Sequence, residues 1–122
     1  GLRSAVLLPQ SGDDGKLLEN TVFLHLRRNC KPTEKIFYYQ GTKECDFVFQ
    51  QNESITELIQ VTWSMVDEET RQREIDGLLE ASQISGCENL FIITYEEENE
   101  ILANGLIIKV LPAWKWLLQA RT

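Results

Sequence analysis

Leu90-Phe91-Ile92-Ile93-Thr94-Tyr95 forms a continuous apolar run. A strand with one wet face alternates polar and apolar residues, so an unbroken run marks a central strand covered on both sides. A chain that contains such a strand needs a sheet with helices packed against it. The 122 residues suffice for that in one domain, since a chain near this size buries roughly two-thirds of its unfolded surface. Apolar residues at 43% and charged residues at 25% are ordinary for a globular fold.

The segments around this strand have their own signatures. A turn-rich cluster, Ser11-Gly12-Asp13-Asp14-Gly15, precedes a helix expected over 16–29. Asp13 or Asp14 stands near its free N–H groups, Leu18, Val22 and Leu26 form an apolar stripe flanked by Leu17 and Phe23 or Leu24, and Pro32 ends it. Three strands follow, at 36–39, 44–50 and 54–63, the last rich in β-branched residues. Asp67 caps a second helix whose inner face carries Ile75, Leu78, Leu79 and Ser82, and Gly86 stops it. After the apolar strand, Asn104-Gly105 joins strands 100–103 and 106–110 as a hairpin. Pro112 opens a terminal helix over 113–119. The expected order is αβββαβ, then a hairpin and a helix.

Charge and cysteine usage narrow the function classes. A net charge of −7, with basic residues scattered except for Arg27-Arg28 and Lys31, disfavours autonomous grip on nucleic acid. Cys30, Cys45 and Cys87 lack CxxC spacing and read as reduced thiols, and the single His25 cannot build a histidine-rich metal site. A Cys/His nucleophilic pair lacks any supporting motif. No apolar run approaches the ~20 residues of a membrane span, and no signal pattern opens the chain. A cytoplasmic protein is expected.

The pair Lys43–Phe49 and Glu57–Trp63 carries the chemistry-bearing pattern. Metal-dependent phosphodiester cleavage needs carboxylates that hold Mg²⁺ and a lysine near the attacking water. Regular alternation would set Glu44, Asp46 and Val48 on one face of the second strand, with Cys45, Phe47 and Phe49 on the other. In the third strand Leu58, Gln60 and Thr62 share a face, while Glu57 points away. The first helix can add Glu19. Gln60 and Thr62 occupy positions where a working site needs an acid and a lysine. Gln60 is a neutral carbonyl donor, expected instead to hydrogen-bond Asp46 or Glu19.

These residues resemble a known family. Lys16–Leu26, Lys43–Val48, Leu58–Val61, Phe91–Glu96 and Pro112–Leu118 resemble, in order, the C-terminal domain of unknown function of bacterial and archaeal AAA+ ATPases. That domain is a member of the PD-(D/E)XK nuclease-like superfamily. The resemblance implies an α/β, restriction-endonuclease-like αβββαβ core with a mixed sheet flanked by helices. The hairpin and terminal helix are added to it. It implies a domain over 16–122 and a segment 1–15 leading from an ATPase module upstream, since no GxxxxGK[ST] loop is present here. ATP would belong to that module alone.

In the superfamily the helix acid corresponds to Glu19, the strand acid to Asp46 and the E-x-K pair to Gln60-Val61-Thr62. The resemblance thus implies a vestigial site of Glu19, Asp46, Gln60 and Thr62, with Glu19 and Asp46 as the metal ligands that remain. The expected role is interaction or regulation beside the ATPase. One alternative is an Mg²⁺-dependent nuclease remodelled around Glu19, Glu44 and Asp46; another is an inactive domain that binds nucleic acid. Glu96–Glu100 reads as a solvated turn. Trp114 and Trp116, with Leu117 and Leu118, suit packing onto the sheet, a partner module or a second copy, an exposed patch being expected near Trp114, Leu117 and Ala5–Leu8.

Overall fold

The computed structural model describes residues 11–119, with side chains from 14 onward. Its elements are α1 (Ser11–Arg28), β1 (Glu34–Gln40), β2 (Glu44–Gln51), β3 (Ser54–Val61) and α2 (Glu68–Ser85). They are followed by β4 (Leu90–Thr94), β5 (Asn99–Ala103), β6 (Leu106–Pro112) and α3 (Ala113–Leu118). The strands form one six-stranded sheet in the order β1-β2-β3-β4-β6-β5. The pairs β1–β2, β2–β3 and β5–β6 are antiparallel, whereas β3–β4 and β4–β6 are parallel. The fold is a mixed α/β sheet flanked by helices.

Each face of the sheet has its own core. On one side α2 lays Ile75, Leu78 and Ala81 over Cys45, Val48, Leu58, Ile92 and Ile108. On the other, Leu18, Val22 and Leu26 of α1 and Trp116 of α3 cover Phe47, Phe49, Ile59, Val61 and Ile93. Ile92 and Ile93 of β4 therefore face opposite layers and both are fully buried, which is what its unbroken apolar run demands.

The local signals act as their chemistry dictates. Asp67 accepts the Thr70 N–H at 2.9 Å and caps α2, while Gly86 at φ 80° donates its N–H to Ser82 and stops it. Asn104 and Gly105 both take positive φ, 51° and 77°, the geometry of a tight turn that matches strand twist. Pro112 closes β6 and stands at the N-cap of α3.

Four expectations need correction. α1 starts at Ser11, before the helix start expected at Lys16; residues 1–10, with Ala5–Leu8, lie outside the described residues. On α1 the buried stripe is narrower than read, because Leu17 and Leu24 are exposed. On α2 the buried face includes Glu74, Gly77 and Ala81, while Leu79 is only half-buried. The regular alternation in β2 also fails. Cys45 lies with Val48 on the α2 side, and Phe47 and Phe49 lie on the other.

Candidate functional site

A bulge causes that break in alternation. Phe37 of β1 pairs with Val48, but Tyr39 pairs with Cys45, so Tyr38 faces both Asp46 and Phe47. An extra residue bends a strand and re-aims its side chains. Here it separates β2 from β3 beyond Phe47↔Ile59, the last pair of their ladder at that end. Side chains replace the missing ladder bonds. The Asp46 N–H donates to Gln60 Oε1 at 2.9 Å, and the Val61 N–H donates to Asp46 Oδ2 at 2.8 Å.

Gln60 completes the junction. Its Nε2 donates to the carbonyl of Glu44 at 2.8 Å and to that of Glu74 at 3.1 Å. A carboxamide only 3% exposed must be satisfied internally, and this one joins β2, β3 and α2 through three backbone groups. The expected bond to Asp46 exists, but it goes to the Asp46 backbone and not to its carboxylate. Gly77 makes the approach possible. A Cβ there would stand 1.9 Å from the Glu44 carbonyl oxygen and 2.4 Å from Gln60 Nε2.

Beside this junction a cavity of about 320 Å³ is lined by Thr42, Lys43, Glu44, Asp46, Gln60, Arg73 and Glu74. Glu74, which sequence reasoning missed, is buried on α2 and meets Arg73 at 3.5 Å. Its signal was helical spacing: 74, 77, 78 and 81 share one face with the buried Leu78. Burial, reinforced by the charge of Asp46, pushes the Glu74 carboxyl up to about 7 against the pull of Arg73. Burial likewise pushes Asp46 up to about 6; the Val61 N–H pulls it down, and Glu19 and Glu44 push it further up. Tyr38 stands across the bulge from Asp46 and Phe47. Lost hydration, then the Glu44 carboxylate that it hydrogen-bonds, hold its phenol above the ordinary range.

The structure thus gathers Glu44, Asp46 and Gln60 around one cavity, with Glu74 added. Glu19 reaches Asp46 and Glu74 through its charge but lines a separate groove with Lys16, Asn20, Phe23 and Phe47. Thr62 does not line the cavity; its hydroxyl donates to the Ser64 carbonyl at 3.3 Å. Among the described residues, no three His, Cys, Asp or Glu side chains gather closely enough to hold a metal ion. Asp46 Oδ2 already accepts the Val61 N–H, so Oδ1 and the carboxylates of Glu44 and Glu74 are the oxygen donors that a hard cation would use here.

The three thiols are free; Cys45 and Cys87 are buried. Cys45 is shut in by Phe47 and Ile59, and burial pushes its thiol up to about 12, which makes it a poor nucleophile. No helix among the described residues is long and apolar enough to cross a membrane.

Comparison with known proteins locates this architecture among its relatives. Uncharacterized protein MJ1544 of Methanocaldococcus jannaschii is 37% identical over 117 residues, covering 88% of this chain and 26% of that protein. The chain thus spans about a quarter of the length of this relative. No solved structure matches. The family described as Domain of unknown function (DUF4143) matches residues 14–116, from within α1 to Trp116 and so across the whole sheet and the Asp46–Gln60 junction. The chain belongs to the DUF4143 family.

Proposed function

We propose that this chain is a catalytically silent nuclease-like domain, derived from the PD-(D/E)XK architecture, that serves an ATPase-containing protein by interaction or regulation. The observation that carries this reading is Gln60. At the position where cleavage would require a carboxylate on the metal, its amide is consumed by the backbone of Asp46, Glu44 and Glu74. Thr62, in the place of the lysine, lies outside the cavity.

The order α1-β1-β2-β3-α2-β4, with Asp46 at the splayed end of two adjacent strands, supports the ancestry. The greater length of the archaeal relative supports a larger protein around the domain, in which the ATPase module is to be sought. Localisation in the cytoplasm follows from the same proposal.

Incubation with plasmid, single-stranded DNA and RNA in Mg²⁺ or Mn²⁺ is expected to leave every substrate intact. Removing one well-placed electrostatic group typically costs ~10²–10³ in rate, and here two are missing. Cleavage abolished by Asp46→Ala would overturn the proposal. It would favour a second reading, in which Glu74 supplies from α2 the carboxylate that β3 lacks and Lys43 supplies the cation. The observation behind that alternative is the shared cavity of Lys43, Asp46 and Glu74.

A further inference from the structure

α1 carries apolar groups that the sheet does not take up. Leu18, Val22 and Leu26 enter the core with Ile59, Val61 and Ile93. Residues three and four apart share a helix face, so Lys16, Glu19, Asn20 and Phe23 form a second face beside that one. With Leu17 and with Phe47 of β2 they line one groove of about 640 Å³. Phe23 stacks on Phe47 with centroids 6.0 Å apart, and Leu17 is 65% exposed. The groove shares no residue with the Asp46 cavity.

The chain's own N-terminal segment fits this groove by reach, polarity and charge. Ten residues precede Ser11, the first residue of the helix that forms the groove wall. At 1.5 Å per residue along α1, Leu17 lies about 9 Å from Ser11 and Phe23 about 18 Å. An extended chain covers ~3.3 Å per residue, so a segment running back along α1 brings Leu8 about 10 Å from Ser11 and Ala5 about 20 Å. Ala5-Val6-Leu7-Leu8 thus matches the span from Leu17 to Phe23. Pro9 favours the reversal, because the residue before a proline avoids the helical region. Residues 4–10 carry no charge, and Lys16 and Glu19 on the groove offset one another. A second copy would bring another net −7 toward the first. The segment after Gln119, Ala120-Arg121-Thr122, is short and polar, and Gln119 lines a different cavity.

We propose that Ala5–Leu8 folds back along α1 and seats its apolar side chains on Leu17, Phe23 and Phe47 as a tethered strap. A short flexible tether holds such a segment at an effective concentration on the order of 1 mM. A partner that uses this flank of α1 has to displace the strap, so the segment governs access to it. The inference does not rest on the reading above, because the groove and the Asp46 cavity are separate.

Alkylation of single thiols in the 122-residue chain by N-ethylmaleimide tests the proposal. Cys30→Ser removes the half-buried thiol and keeps a donor for the Glu34 carbonyl, while Cys45 and Cys87 are buried. Asn20 and Thr21 are both exposed on α1, but only Asn20 lines the groove. With each rate divided by its value in urea, Asn20→Cys is expected to react about tenfold more slowly than Thr21→Cys, since the strap must open first. Val6→Asp with Leu7→Asp is expected to bring the two rates within about twofold, because a carboxylate resists transfer to an apolar groove. Val6→Ile with Leu7→Met keeps the protection. Circular dichroism checks that each variant is folded. Equal rates in the chain with Val6 and Leu7 intact, or protection that survives Val6→Asp with Leu7→Asp, overturns the proposal. Protection that falls as the chain is diluted also overturns it and assigns the groove to a second copy.

Discussion

At the residue scale, Gln60 turns a comparison of motifs into a question of backbone accounting. Its Nε2 donates to two carbonyls, so Gln60→Glu would aim a carboxylate at both and leave both without a donor. At about 1–3 kcal/mol for each buried group left unsatisfied, a loss of roughly 2–5 kcal/mol is expected, read as a lower urea midpoint. An unchanged midpoint would show that the amide is not structural. The same accounting explains why restoring Gln60→Glu and Thr62→Lys together should unsettle the fold before it restores chemistry. The neighbouring acids set a pH dependence. Asp46 and Glu74 hold protons more tightly in the folded chain, with pKa raised to about 6 and about 7. Their favourable contribution is therefore complete below about pH 4, where the unfolded chain also protonates, and is lost as pH rises through 6 and 7. At 1.36 kcal/mol per pH unit, the loss is on the order of 3 kcal/mol from each carboxyl. Asp67 and Glu80 are lowered, so their support disappears only in stronger acid, below this window. The urea midpoint is expected to fall from pH 5 to pH 8, and Glu74→Gln should flatten that fall; a midpoint that rises over this range would contradict the assignment.

At the element scale, α2 and β2 show what a sequence does and does not disclose. Asp67 and Gly86 bracket α2 at Glu68–Ser85 because each carries its own local chemistry. The β2 bulge has no such marker: Cys45-Asp46-Phe47-Val48 alternates as well in either register, and only pairing with β1 and β3 decides it. Asp46 and Gln60 were legible as neighbours, but their exchange of side-chain and backbone bonds was not, since it follows from the splayed ladder. Glu74 could have been found, because its spacing from Leu78 sets it inward, but an acid on a helix reads as solvated unless that spacing is followed. Gly77 is where the two elements meet. Alanine is the better helix former by about 1 kcal/mol, yet here its Cβ would collide with the Glu44 carbonyl and the Gln60 amide. Overpacking of about 1–3 kcal/mol, with the displaced hydrogen bonds, outweighs that gain, so Gly77→Ala is expected to destabilise by roughly 2–4 kcal/mol. Gly15→Ala in α1 meets nothing within 4 Å and should stabilise by roughly 0.5–1 kcal/mol. Paired thermal unfolding of the two variants separates close approach from helix propensity. Equal gains would remove Gly77 from the junction.

At the scale of the whole molecule, the order of elements was legible and the order of strands was not. Each strand and helix has a short-range signature, whereas the adjacency β4-β6-β5 depends on which partners the chain ends meet after the hairpin folds. That adjacency leaves the two faces of the hairpin unequal. Ile101 and Ile108 pair across it and are buried in the α2-side core, while Leu102 and Ile107 pair next to them, 74% and 52% exposed. Composition cannot tell these pairs apart, because both are aliphatic and all four residues suit a strand. Layering can, since only one face of the hairpin enters a core. Ile108→Ala is expected to cost about 2–5 kcal/mol through lost burial and the cavity left behind. Leu102→Thr with Ile107→Thr is expected to stay within about 0.5 kcal/mol per residue, as surface changes do, because threonine keeps a strand-compatible branched side chain. Urea midpoints of the two variants check the contrast. A large loss from the Leu102/Ile107 variant would mean that the exposed face is covered in solution, and sedimentation of that variant against the parent chain would show whether a second copy covers it.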